Sequence, residues 1–98
     1  MPTYVVLFEK TEEGQKITAE DAQRRRATGI ELINEHEAEL KALYYGFGEY
    51  DMFAVVDVDD SETMAKIKLA YEQQGLSRTK GFEVFEPEEW DAIIEDAL

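Results

Sequence analysis

"LYYGFGEYDMFAVVDVDD", residues 43–60, decides how this chain folds. Two runs rich in aromatic and β-branched residues flank a short link that holds Gly46 and Gly48, and the second run ends in an acidic cluster. A short glycine-containing link between such runs is a hairpin signal. The segments "ELKALYYGF" (39–47) and "YDMFAVVDV" (50–58) are therefore expected to be adjacent antiparallel strands.

Upstream, "TYVVLFEK" (3–10) is an almost unbroken apolar run of β-formers, the pattern of a central strand buried on both faces. After a "TEEG" turn (11–14), Thr18 with Asp21 resembles a capping box and predicts a helix from Ala19. Ala19, Ala22, Gly29, Ile30 and Ile33 form one stripe of that helix, with Arg26 in its middle. The small residues suggest close approach to a sheet. Downstream, Ser61 is expected to cap a second helix with Met64, Ile67 and Tyr71 on its apolar stripe. Gly75 then suits a C-cap. "SRTKGFEVF" (77–85) reads as a fourth strand, and Pro87 opens an amphipathic helix carrying Trp90, Ile93, Ile94 and Ala97.

The order βαββαβ plus a terminal helix fits a single domain over residues 1–98. Right-handed crossovers then give a ferredoxin-like α+β fold with an antiparallel sheet ordered 4-1-3-2. Both main helices lie on one face, leaving the other open. Placing the polar Glu9, Lys41, Asp57 and Glu83 on the open face brings Val5, Leu7, Leu43, Tyr45, Phe53, Val55 and Phe85 there with them, by the period of two. So large an apolar surface predicts a second copy packed sheet to sheet, a homodimer or higher homo-oligomer.

Composition narrows the partners. The net charge is −13, from 23 acidic against 10 basic residues, so phosphate backbones are repelled and no nucleic-acid binding is expected. The "RRR" run (24–26) is too short to reverse this. The acidity fits either plain solubility or a halophilic host, where salt screens carboxylate repulsion. No membrane-spanning run or signal peptide is read, cysteine is absent, and the cytoplasm is the expected compartment.

The stretches "PTYVVLF" (2–8), "TEEG", "KALYYGFGEYDMFAVVDVDD" (41–60) and "GLSRT" (75–79) together resemble the GYD domain family, with the signature standing here as Gly48-Glu49-Tyr50-Asp51. Residues between Gln15 and Glu39 match that pattern poorly. The resemblance implies a ferredoxin-like, dimeric α+β barrel and carries no activity with it.

In the 4-1-3-2 order, the C-terminal end of the first strand lies beside the starts of the third and fourth. Glu9 and Lys10 are then expected between Tyr50-Asp51 and Arg78-Thr79, with Tyr45 close by. Aromatic walls with a few charged and hydroxyl groups suit a small-ligand pocket. The competing reading is structural: Asp51 caps the turn, Arg78 pairs with Asp51 or Glu9, and the tyrosines pack the hairpin. His36, the only histidine, is expected at a helix end between two glutamates, and Arg26 is expected to snorkel. "DVDD" (57–60) lacks Ca²⁺-loop spacing, and no phosphate- or dinucleotide-binding motif is present, so neither metal nor cofactor is expected.

Three function classes follow. The leading one is a small-molecule binding or regulatory module with its site at the sheet rim or interface. The second is a cofactor-free isomerase or monooxygenase using an acid–base group among Glu9, Tyr45, Tyr50, Asp51 and His36. The third is a purely structural subunit.

Overall fold

Strand β1 (Thr3–Lys10) is central as expected, flanked by strands on both edges, but helices cover one of its faces and not both. In the computed structural model, which describes all of residues 1–98, it pairs antiparallel with β3 (Met52–Asp57) and with β4 (Ser77–Val84). β2 (Glu39–Tyr45) pairs with β3 on the outside, and the sheet order β2-β3-β1-β4 is the expected one read from the other edge. Helices α1 (Ala19–Glu35), α2 (Ser61–Glu72) and α3 (Pro87–Ala97) complete the ferredoxin-like α+β chain, with a short 3-10 turn at Gly14–Lys16.

The caps follow local chemistry. Thr18 accepts the amide of Asp21 and starts α1 as expected. The cap of α2 is one residue earlier than expected: Asp60, not Ser61, accepts the amide and hydroxyl of Thr63 at 2.8 Å. Those two bonds, led by the amide, hold the Asp60 carboxyl below its ordinary range. At the start of α3, the side-chain carboxylates of Glu86 and Glu89 each accept the other residue's backbone amide in a capping box, with Pro87 in the first turn.

The core lies between the sheet and α2. Val6, Ala54, Val56, Met64 and Ile67 are buried together, with Tyr4, Phe8, Leu32, Ile33, Leu40 and Leu43 packed partly against them. Alternation puts residues 4, 6 and 8 of β1 and 52, 54 and 56 of β3 on this helix-covered face.

The open face differs from expectation on its outer strands. A register shift between Leu40 and Ala42 inserts one residue, and beyond it the alternation of β2 is reversed. Leu43 and Tyr45, opposite Ala54 and Met52, therefore face the helices, while Ala42 and Tyr44 join Val55 and Phe53 on the open face. Tyr44 stacks on Phe53 with ring centroids 5.4 Å apart. On β4 the pairing of Tyr4 with Glu83 turns Glu83 to the helix side and Lys80 and Phe82 to the open side. Phe85 lies past the strand and leans on Trp90 of α3, 5.9 Å between centroids. The open face is thus built from Val5, Leu7, Phe53, Val55, Tyr44 and Phe82.

α1 stands away from the sheet. None of its residues is buried, although Leu32 and Ile33 reach the core. Gly29 allows close approach to α2, not to the sheet as expected: a Cβ there would come 3.3 Å from the Tyr71 ring.

Candidate functional site

The space left between α1 and the sheet is a cavity of about 390 Å³. Its walls are mostly apolar: Phe8, Ile33, Leu43 and Met52 are among them, with Tyr71 of α2 at one side. Protein interiors rarely leave voids larger than a water molecule, so a partly enclosed space of this size has the form of a ligand site.

Two backbone devices shape its mouth. The first is the β2–β3 hairpin, where Gly48 has φ of +128°, a conformation that favours glycine, and the amide of Gly46 donates to the carbonyl of Asp51 at 2.9 Å. Asp51 continues the β1–β3 ladder beyond its last paired residues. Its amide donates to the carbonyl of Phe8 at 2.9 Å, and its carboxylate accepts the amide of Lys10 at 2.7 Å. The second device joins the turn after β1 to the start of β4. The amide of Thr11 donates to the Leu76 carbonyl at 3.1 Å, its hydroxyl donates to the Gly75 carbonyl at 2.8 Å, and the same hydroxyl accepts the amide of Gly14 at 3.1 Å.

Of the residues singled out in the sequence, Tyr45, Asp51 and Thr79 line this cavity, while Glu9, Tyr50 and Arg78 do not. The pairing of Glu9 with Arg78 belongs to the other face of the sheet, and their charged groups form no ion pair. Thr79 is buried, and both its amide and its hydroxyl donate to Glu72 Oε2 at 2.9 Å. Because β4 is an edge strand opposite which no further strand pairs, Glu72 supplies the acceptor that a neighbouring strand would have supplied. Lys68 donates to the other oxygen, Oε1, at 2.8 Å. Partial burial pushes the Glu72 carboxyl up, but the hydrogen bonds from Lys68 and Thr79 outweigh it and hold the group below the ordinary carboxylate range.

Sequence reasoning missed Glu72 and Arg25. Glu72 carried one signal, the i,i+4 spacing from Lys68. Arg25 lies under the Tyr71 ring, its guanidinium carbon 5.7 Å from the centroid, and Arg26 meets Tyr45 in the same way at 5.9 Å. Both arginines line the cavity. His36 caps the end of α1, with Nδ1 2.9 Å from the Leu32 carbonyl. Within "DVDD", Asp57 accepts the Thr3 hydroxyl and Asp60 caps α2. No group of three or more His, Cys, Asp or Glu side chains is arranged to hold a metal ion. No helix is long and apolar enough to cross a membrane.

The fold and the cavity together define a small ferredoxin-like domain with room for a ligand between helices and sheet. The sequence profile of the GYD domain matches residues 4–94, and the chain belongs to that family. It is 29% identical over 83 residues to a protein of Thermus thermophilus named glutamine synthetase and cystathionine beta-lyase binding protein, covering 85% of this chain and 87% of that one. Among solved structures, TTHA0845 from Thermus thermophilus superposes with a TM-score of 0.55 at 25% identity, covering 88% of this chain and 95% of that one. The leucine response regulatory protein LrpA of Mycobacterium tuberculosis superposes at 0.59 with 15% identity, a likeness of fold alone. The match covers 87% of this chain and 51% of LrpA.

Proposed function

We propose that this chain is a homo-oligomeric binding module that takes up a small molecule between α1 and the sheet and has a regulatory role. The cavity of about 390 Å³ carries this reading, since its size and apolar walls suit a small organic ligand. Binding is favoured over acid–base catalysis because the carboxylates near the cavity already serve the fold. Asp51 holds the Lys10 amide, and Glu72 holds Thr79 and Lys68. A ligand screen followed by amide chemical shifts tests it. Hits should move Phe8, Gly29, Met52 and Tyr71; hits that move only open-face residues would refute the assignment.

The homo-oligomer rests on the open face. Phe53, Tyr44 and Phe82 are 37%, 61% and 52% exposed and lie on one surface, which a second copy of the same face would cover. Val55→Asp should dissociate it, because an unpaired charge buried in such a contact costs several kcal/mol. Light scattering that finds an 11.3 kDa monomer for the native chain would refute the oligomer.

A second reading takes its support from the Thermus relative, whose name describes the binding of two enzymes. Phe47, at the tip of the hairpin, is 99% exposed and offers an anchor for a protein surface. Sedimentation with purified glutamine synthetase, using the native chain and Phe47→Ser, tests this directly.

A further inference from the structure

Resting on the cavity as a ligand site, we infer that its ligand is a carboxylate with an apolar body, anchored by Arg25. In a chain of net charge −13, Lys10, Arg25, Arg26, Arg78 and Lys80 form no ion pair within 4.0 Å. Lys10, Arg25 and Arg26 all line the cavity. Half of the ten cations thus have no carboxylate partner, and three of these five gather around one space.

Arg25 is the inner member of the group. Its Nη2 is shielded from solvent and has no hydrogen-bond partner. A buried guanidinium donor without an acceptor is costly, and buried polar groups in native proteins are almost always satisfied. The Tyr71 ring meets the guanidinium but supplies no oxygen. Asp51, the acid lining the cavity, forms no ion pair with Arg25, and its carboxylate already accepts the Lys10 amide. An acceptor carried by a ligand, reached by a small turn of the guanidinium towards the cavity that Arg25 lines, would supply the missing partner. A carboxylate matches the planar fork of arginine, and the apolar walls match a hydrocarbon or aromatic body. Arg26 and Lys10, both exposed, stand nearer solvent and draw anions towards the mouth.

The test compares hexanoate, octanoate, decanoate and 3-phenylpropionate with their matching alcohols, by calorimetric titration and by amide shifts. At least one carboxylate should bind saturably, should move amides around Arg25, and should bind about tenfold or more tighter than its alcohol. Arg25→Met should remove that preference while leaving the alcohol's affinity unchanged, and Arg25→Lys should retain part of it. Alcohols that bind as well as the acids would overturn the anionic anchor and leave the cavity reading standing. If no member of the panel moves cavity amides at millimolar concentration, both fall. If Arg25→Met does not fold, the acid-against-alcohol comparison on the native chain decides alone.

Discussion

Replacing Glu72 by leucine should show how the edge strand β4 is held to the helix layer. The carboxylate accepts both the amide and the hydroxyl of Thr79 at 2.9 Å, and Thr79 is only 8% exposed, so water cannot readily take over. A buried donor left without its acceptor costs about 1–3 kcal/mol. The amide carries that cost in full, while the hydroxyl can rotate and loses less. The half-exposed ion pair with Lys68 adds less than about 1 kcal/mol. The total is about 2–4 kcal/mol, which in a domain of this size lowers the melting temperature by about 10–25 °C. Thermal unfolding at pH 7 and fixed protein concentration measures it. In the double variant Glu72→Leu/Thr79→Val the orphaned hydroxyl is gone, so it should melt above Glu72→Leu alone. A double variant whose losses simply add, or a single variant within about 3 °C of the native chain, would refute the reasoning. The pH dependence has a definite sign. The folded-state pKa of Glu72 is depressed, so its contribution is complete above the ordinary glutamate value, about 4.3, and is lost as pH falls through the lower folded value. The gap between native and variant should therefore be constant near neutrality and close only in acid.

Gly14→Ala should cost about 2–3 kcal/mol, because the new Cβ would lie 2.0 Å from the Leu76 carbonyl oxygen, a backbone atom that cannot swing aside. Urea unfolding measures the loss, and faster amide exchange at Thr11 should accompany it. Asp51→Ala should cost about 1 kcal/mol through the lost acceptor for the Lys10 amide. Asp51→Asn should cost less than half of that, since the side-chain oxygen remains; equal losses in the two variants would assign the effect to charge and not to the hydrogen bond.

The central strand, the three helices, the hairpin and the sheet order were legible in the sequence because each element rests on a local signal. The run at 3–10 is too continuously apolar for an edge, Thr18 and Pro87 mark helix starts, and glycines at 46 and 48 separate two β-rich runs. Once the six elements of the βαββαβ order are in place, chain handedness leaves few topologies. The nearness of Asp51 and Thr79 to one another follows from that topology, which explains why part of the cavity lining could be named from the sequence, whereas Tyr45 reaches the cavity only through the bulge, and Glu72 and Arg25 had no such topological signal.

Tertiary structure alone decided which way the outer strands turn and what the charged groups meet. One inserted residue near Lys41 reverses the alternation of β2 and sends Leu43 and Tyr45 to the helix side. A bulge depends on how the partner strand is registered, and no pattern within residues 39–45 encodes it. Arg25 and Arg26 are neighbours with the same side chain, yet one ends with a buried, unpartnered nitrogen beneath Tyr71 and the other over Tyr45 near solvent. That distinction arises where α1 stands off from the sheet, with Gly29 close against Tyr71 across the two helices. Local propensity determines elements, but the distance between packed elements depends on side chains remote in sequence, and the cavity exists only at that distance.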